Sequence, residues 1–222
     1  MPIHDSAFSA PVQRTLSDYI TNQLRQAILT DELKPGQRLV ENDLAQKMQT
    51  SRGPIRDALR TLETEGLVTR KSHRGAFVKS LTKEDALEIF SLREALETLA
   101  IKLAVRNASK EDITRLEKKK KKMRELSQQR TYDQLEATEL DLSFHHTICR
   151  ASKNSRLILA WENIRSQLQI LILKHRYTNP HDLETRGVIW HAEIIDALKN
   201  RDLDNAIATL HKHISGSIEW IT

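Results

Sequence analysis

The chain is poor in cysteine, glycine, proline and aromatic residues. Its 222 residues include one Cys, six Gly, five Pro and only 5% aromatics. A single cysteine, Cys149, cannot form an internal disulfide, which excludes a disulfide-stapled secreted fold. The small number of glycines and prolines, together with the scarcity of strand-like runs, favours a mainly helical protein.

Long hydrophobic runs are also missing. No N-terminal apolar segment resembles a signal peptide and no run is long enough to cross a membrane, so we expect a cytoplasmic protein without a membrane partner. The net charge of +5 is a weak sign of a polyanionic partner. Consecutive lysines at residues 118–122 point in every direction around a helix, and we interpret them as a solvated surface rather than a binding groove.

The length allows two domains, and the first follows a short tail. Residues 1–14 have no periodicity and are interpreted as a flexible tail. Apolar spacing in residues 15–80 predicts three helices, over 15–30, over 41–48 and from Ser51 to Gly66. Two short strands around a Gly-containing tip follow. A winged helix-turn-helix has this order of elements: a helix, a short helix, a turn, a third helix and a hairpin.

The third predicted helix has two different faces. One face is apolar and consists of Ile55, Leu59 and Leu62. The other face is basic and consists of Arg52, Arg56 and Arg60. Guanidinium groups one turn apart near a helix N-terminus can reach guanine edges or phosphates in a major groove. A solvated basic face on an ordinary surface helix would give the same pattern.

The hairpin that follows this helix has a basic tip. Its sequence there includes His73 and Arg74. In a wing beside a helix-turn-helix, either side chain could reach the DNA backbone or the adjacent minor groove.

Residues 81–222 predict an all-α domain. Six helical segments, without an interrupting strand pattern, are expected over residues 82–107, 110–129, 131–151, 153–177, 181–199 and 202–221. A bundle of this size can have its own core and an internal cavity.

Four polar side chains fall on the apolar faces of these helices. They are Asp141, His145, His191 and His213. Unpaired buried polar groups are costly, so a shared partner is expected. One carboxylate and three imidazoles suit zinc, nickel or another divalent transition metal. A single histidine in such a position is more often a satisfied core residue, so the metal interpretation depends on all four.

Arg93 is a further inward polar residue, on the first helix of the predicted bundle. Its guanidinium could clamp a carboxylate through two hydrogen bonds. It could equally pair with Glu97, which lies four residues on and on the same side. By contrast, His146 and His211 project away from the apolar faces, and we interpret both as surface residues.

Residues 15–80 resemble the winged helix-turn-helix of GntR-family transcriptional regulators. The resemblance is carried by residues 35–39, 44–45, 51–59, 65–68 and 74–78. It implies that operator DNA is contacted by Arg52, Arg56, His73, Arg74 and Gly75, and that Ser51 and Gly53 contact phosphate. Gln49 stands at a turn position where the family often has glycine.

Residues 81–220 resemble the FadR-type C-terminal ligand-binding domain, called FCD, that follows such heads in one branch of the family. The matching segments are residues 141–148, 191–197 and 211–214. This resemblance implies a bundle of six or seven helices, a homodimer, and a metal-supported pocket for a small carboxylate effector. It also implies that Arg93 contacts the effector.

We therefore predict a homodimeric regulator that reads double-stranded operator DNA and responds to a small organic acid. One alternative is a metal-responsive regulator without an organic effector. Another is a metal-dependent enzyme whose His₃Asp centre activates water. We expect no enzyme, because the sequence predicts no inward glutamate clearly placed as a general base and because a DNA-reading head would be an odd appendage.

Overall fold

The computed structural model describes residues 16–218, except for the side chains of residues 185 and 186. The tail predicted for residues 1–14 and the end of the last predicted helix, at residues 219–221, lie outside the described residues. The chain divides into two compact units, an N-terminal unit ending at Lys79 and a C-terminal unit beginning at Ser80. Among the described helices, none combines the length and the apolar character needed to cross a membrane.

The N-terminal unit combines helices with a small antiparallel sheet. Its described elements are α1 (Leu16–Leu29), β1 (Arg38–Leu39), α2 (Glu41–Lys47), α3 (Arg52–Thr64), β2 (Val68–Lys71) and β3 (Gly75–Val78). β3 is the central strand of the sheet, with β1 on one side and β2 on the other. The predicted winged helix-turn-helix is confirmed.

The core of this unit lies under α3. Ile55, Leu59 and Leu62 are fully buried, so the apolar face predicted from their spacing is confirmed. Gly66 directly follows the C-cap of α3 with a φ of 70°, the left-handed conformation expected of a glycine at a helix end. Gln49, in the turn before α3, has a φ of 50°, so this turn keeps a left-handed residue without a glycine.

β1 is an element that the sequence does not predict. Arg38 pairs with Phe77 and Leu39 with Ala76, which adds a third strand to the hairpin. A strand of two residues is too short to show the alternation by which strands are recognised.

The C-terminal unit is a helical bundle. Its described α-helices are α4 (Lys83–Asn107), α5 (Lys110–Ser127), α6 (Gln134–Ala151), α7 (Ser155–Thr178), α8 (Val188–Asn200) and α9 (Leu203–Gly216). The six predicted helices are confirmed, with one difference: residues Leu183–Gly187 form a π-helical turn that leads into α8. Phe90, Phe144 and Trp161 are fully buried among the aliphatic side chains of the bundle core.

Candidate functional site

The first two turns of α3 present two exposed arginines, with 59% of the Arg52 side chain and 51% of the Arg56 side chain accessible. Glu41, the first residue of α2, lies 3.6 Å from Arg52 Nη2 and 3.5 Å from Arg56 Nε. One carboxylate therefore holds both guanidinium groups beside the free N–H groups of the helix start. This surface is suited to contact the phosphates of a nucleic acid.

Two small residues flank these arginines. Ser51 is the N-cap of α3, but its side chain makes no capping hydrogen bond. A Cβ added to Gly53 would have no heavy atom within 4 Å, and the φ of Gly53 is not left-handed. Glycine is therefore not required here by packing or by backbone conformation, and its missing side chain leaves room for another molecule to approach.

The predicted tip of the hairpin is exposed at His73, Arg74 and Gly75. His73 has a φ of 58° and Gly75 a φ of 92°, so the chain reverses through two left-handed residues. The tip is stiffened by a hydrogen bond that Arg74 N donates to Lys71 O at 3.0 Å.

Glu41 and Arg70 belong to this surface, although the sequence does not predict them as site residues. Arg70 on β2 lies 3.1 Å from Glu63 of α3 and 3.8 Å from Glu41 of α2. It thereby ties the hairpin to both helices. The basic pair Arg70 and Lys71 is visible in the sequence, but a four-residue strand does not reveal which side chain faces the helices.

The four inward residues of the C-terminal unit come together in its core. Asp141 and His145 project from α6, His191 from α8 and His213 from α9, and one donor atom from each lies within 4.8 Å of the others. We call these four residues the histidine–aspartate cluster. All four side chains are buried.

The donor atoms of the cluster converge closely. His145 Nε2 lies 2.9 Å from His213 Nε2 and 3.2 Å from His191 Nε2. Asp141 Oδ1 lies 3.3 Å from His191 Nε2 and 3.6 Å from His213 Nε2. Donors at bonding distance from one zinc ion would be about 3.3 Å apart in a tetrahedron and about 2.9 Å apart as neighbours in an octahedron. The spacing and the donor chemistry both fit a divalent transition metal.

The sequence predicts no inward glutamate beside the site, and this prediction is wrong because of Glu97. Glu97 is buried, and its Oε2 lies 2.7 Å from Nδ1 of His145. A carboxylate on Nδ1 directs the Nε2 of the same ring towards the cluster, as outer carboxylates do for metal-bound histidines. Glu97 therefore orients His145. Its own Oε1 accepts hydrogen bonds from Trp161 Nε1 and Arg93 Nε, both at 2.9 Å.

Two buried arginines complete the surroundings of the cluster. Arg93 pairs with Glu97, one of the two alternatives left open by the sequence, and its Nη2 lies 4.0 Å from Asp141. Arg176 of α7 lies 3.7 Å from Asp141. Arg176 is not predicted as a site residue, although it continues the apolar positions 168 and 172 of α7 at a spacing of four.

Several guanidinium nitrogens of these arginines lack acceptors. Nη1 and Nη2 of Arg93, and Nε and Nη1 of Arg176, are buried without a hydrogen-bond partner among the described residues. Buried charged donors without acceptors carry a large desolvation penalty. Oxygens of an anionic ligand would remove this penalty.

Burial sets the protonation of the imidazoles. It lowers the pKa of His191 to about 3 and lowers the pKa of His213 well below its ordinary value, so both rings are neutral at pH 7. Neutral imidazole is the form that binds metals.

The buried carboxylates are ionised. Burial alone would raise the pKa of Asp141, but the surrounding imidazoles and Arg176 outweigh it and lower this pKa. Burial is likewise outweighed at Glu97, where Arg93 and His145 lower the pKa to about 2. The cluster therefore offers a cation the ionised carboxylate of Asp141 and the neutral rings of His191 and His213.

A winged helix-turn-helix with an exposed basic helix start, joined in one chain to a separate helical bundle, defines a DNA-binding transcriptional regulator. Residues 16–78 match the model of bacterial regulatory proteins of the gntR family, and residues 88–216 match the FCD domain. The chain belongs to the GntR family of transcriptional regulators and carries an FCD domain.

Relatives of known name agree with this assignment. The uncharacterized HTH-type transcriptional regulator YdhC of Bacillus subtilis (strain 168) is 31% identical over 200 residues, covering 90% of this chain and 88% of that protein. The gluconate operon transcriptional repressor of the same organism is 31% identical over 199 residues, covering 87% and 80%. These relatives are transcriptional regulators, and the expectation that the chain is not an enzyme is confirmed.

Solved structures show the same fold. McbR/YncC of E. coli superimposes with a TM-score of 0.73 at 22% identity, covering 94% of this chain and 98% of that one. A putative GntR transcriptional regulator from Rhodococcus sp. RHA1 gives a TM-score of 0.74 at 20% identity, covering 92% and 96%.

Proposed function

We propose that the protein is a homodimeric regulator whose C-terminal unit binds a divalent transition metal and a small carboxylate effector, and that the effector changes the affinity for operator DNA. The observation that carries this proposal is the convergence of three imidazoles and a carboxylate beside two buried arginines that lack acceptors. Binding to chromosomal DNA implies action in the cytoplasm.

The DNA-contacting residues proposed here are those of the α3 start and the hairpin tip. They are Ser51, Arg52, Gly53, Arg56, His73, Arg74 and Gly75. Their exposure and the basic charge of three of them support this role.

The metal would be held by Asp141, His145, His191 and His213, with zinc or nickel as the ions that suit these donors best. It would join α6, α8 and α9 and supply coordination positions for oxygen atoms of the effector. Its role would be structural and recognitive rather than catalytic.

The charge of the site indicates the class of effector. Glu97 and Asp141 are balanced by Arg93 and Arg176, so a divalent cation leaves the buried site with an excess of positive charge. Burial of excess charge is costly unless it is paired. A small carboxylate offers the compensating charge and the acceptors that the two guanidinium groups lack.

The exposed face of α4 supports a homodimer. Leu92 and Leu99 are each more than 40% accessible, and the exposed Ala95 lies between them. On the same helix, Glu88 and Lys102 are exposed and stand at equal distances before and after Ala95. Two copies of α4 packed antiparallel about a two-fold axis would bury the leucines and place Glu88 of each copy opposite Lys102 of the other.

The effector is tested by a thermal-shift screen of small carboxylates, with and without chelator. Gluconate belongs in the screen because one relative is named for the gluconate operon. An effector that binds the native protein raises its melting temperature, and we expect this rise to disappear after chelation. The same acid should change the affinity for operator DNA, measured by fluorescence anisotropy.

Matched histidine variants test the metal. We expect about one ion per chain in the purified protein, lost in His191→Gln and retained in His211→Gln, because His211 is exposed and outside the cluster. Operator affinity that follows free metal concentration without any acid would instead favour the metal-responsive alternative. Wild-type protein that binds neither metal nor acid would contradict the proposal.

A further inference from the structure

A cavity lies between α5 and α6, on the side of α6 away from the histidine–aspartate cluster. Its volume is about 690 Å³, within the range of small-molecule sites. Leu140 is the one aliphatic residue among those that line it. None of the lining residues belongs to the cluster. We call this cavity the α5–α6 groove.

Both walls of the α5–α6 groove are polar. The α5 wall carries Arg115, Lys118, Lys119 and Lys122. The α6 wall carries Glu139, Ser143, His146, Thr147 and Arg150, spaced by three or four residues so that they form one stripe. Helices pack against each other through their apolar stripes, so these two facing polar walls leave a space that water or a charged ligand can occupy.

The five lysines of residues 118–122, interpreted from the sequence as a solvated surface, do not all have the same surroundings. Lys118, Lys119 and Lys122 line the α5–α6 groove. The other two lysines lie elsewhere on α5, where Lys120 forms an ion pair with Glu117 and Lys121 with Glu125.

The α5–α6 groove carries more positive than negative side chains. Its lining contains five Lys and Arg side chains against two acids, Asp112 and Glu139. Asp112 lies 3.1 Å from Arg115 within the groove and 2.8 Å from Lys153 Nζ outside it. Glu139 forms an ion pair with Arg165, which does not line the groove. The lining therefore has an excess of three cations, five minus two.

Lys119 reaches across the groove. Its Nζ contacts the hydroxyl of Ser143 on the opposite wall. Burial lowers the pKa of Lys119. The nearby Glu139 opposes this shift, whereas Lys122 and Arg165 add to it. A bound anion would compensate the partial desolvation of this ammonium group and its repulsion by its neighbours.

We propose that the α5–α6 groove binds a small polyphosphate anion. The cations of the α5 wall extend from residue 115 to residue 122, about 10 Å along the helix, which suits linked phosphates better than a single carboxylate. Lysine ammonium groups act as point charges towards phosphate oxygens, while Ser143 and Thr147 offer hydroxyl donors. A groove with one aliphatic lining residue has little to offer an apolar ligand.

The test is isothermal titration of the full-length protein with inorganic triphosphate, pyrophosphate and orthophosphate at near-physiological salt. We expect triphosphate to bind most tightly and orthophosphate least tightly. The double variant Lys118→Gln/Lys122→Gln should lose about tenfold or more in triphosphate affinity, because both side chains line the groove. Circular dichroism checks that this exposed substitution leaves the helices intact.

The control is Lys120→Gln/Lys121→Gln, which removes the same charge from the same run but outside the groove. We expect it to retain wild-type affinity for triphosphate. Equal losses in the two variants would mean general electrostatic attraction and would overturn the proposal, as would absence of binding to the wild type. Displacement of triphosphate by duplex DNA without an operator would overturn it too, in favour of a DNA-binding surface.

Failure here is separable from failure of the proposed function. The substituted lysines are not members of the histidine–aspartate cluster, and they belong to the C-terminal unit, whereas α3 belongs to the N-terminal unit. Metal content and operator binding can therefore be measured on the same variants, and we expect both to be unchanged in the absence of phosphate.

Discussion

Gly53 is a residue that neither the packing nor the backbone conformation of its own unit requires to be glycine. It lies in the first turn of α3 between the exposed Arg52 and Pro54, with open space where a side chain would stand. Because the φ of Gly53 is not left-handed, alanine can adopt the same backbone conformation. A close approach of DNA to this position, as proposed above, would account for the missing side chain.

We expect Gly53→Ala to leave stability unchanged or raise it by up to about 1 kcal/mol through helix propensity, while weakening operator binding. Thermal denaturation and fluorescence anisotropy measure the two effects. Gly36→Ala is the control, since Gly36 also has open space around it but has a φ of 78°, so alanine should lower stability there. Unchanged operator affinity in Gly53→Ala would contradict a close approach of DNA.

Cys149 is a residue whose chemistry is suppressed by its surroundings. Its side chain is fully buried, and burial raises the pKa of the thiol well above its ordinary value. The thiol therefore stays protonated and inert where an exposed cysteine would begin to ionise.

We expect native protein to resist iodoacetamide at pH 8 and to be labelled at Cys149 only after unfolding in urea. Mass spectrometry of samples quenched at increasing urea concentration measures this, and the labelling midpoint should coincide with loss of helical circular dichroism. Native-state labelling at the rate of a small free thiol would show that Cys149 is accessible.

At the scale of elements, side chains that hydrogen-bond to the backbone determine where several helices begin and end. Thr82 with Asp85, and Ser109 with Asp112, form capping boxes at the starts of α4 and α5. Arg201 has a left-handed φ of 56° just after α8, and its guanidinium donates hydrogen bonds to the carbonyls of Val105 and Ala108 near the end of α4. It thus satisfies carbonyls that a helix end leaves without partners.

At Arg201 the left-handed backbone conformation lowers stability, whereas the hydrogen bonds of the side chain to α4 raise it. Two substitutions separate these two contributions. Arg201→Ala and Arg201→Gly both lose the hydrogen bonds to α4, but only glycine relieves the left-handed conformation. We expect the glycine variant to be more stable than the alanine variant by about 1 kcal/mol in urea denaturation. Equal stabilities would mean that the left-handed conformation does not persist in the alanine variant.

Helices and their buried faces could be predicted because each repeats over many residues. The inward direction of Asp141 and His145 follows from the apolar residues around them on α6. β1 and the π-helical turn at Leu183–Gly187 carry no such repeat, since each contains only two to five residues. Short elements depend on partners distant in sequence, which periodicity does not reveal.

The sequence predicts which residues lie in the site better than it predicts which of them contact each other. The sequence indicates that Arg93 and Glu97 share one side of α4, but it does not indicate that Glu97 also reaches His145 of α6. Likewise, the lysines of α5 that line the α5–α6 groove differ from their neighbours only through the position of α6. Contacts between helices require the packing angle, which a single helical pattern does not contain.

At the scale of the whole molecule, the self-complementary face of α4 leads to a charge-reversal test. Glu88→Lys or Lys102→Glu alone would place like charges opposite each other twice in the proposed dimer, and we expect each single variant to shift the protein towards monomer. The double variant restores opposite charges and should restore the dimer. Sedimentation velocity measures the outcome, and a double variant no more dimeric than either single variant would exclude this interface.

Helix α6 is shared between two compartments. Asp141 and His145 face the interior of the bundle, while Ser143 and Thr147 face the α5–α6 groove. A ligand bound on either side would restrain the same helix of 18 residues. Binding of the first ligand would therefore reduce the conformational entropy that α6 loses when the second ligand binds. Such help is necessarily mutual. Because α6 would contact both ligands, their binding would be positively cooperative, and the protein would respond most strongly when both ligands are present together.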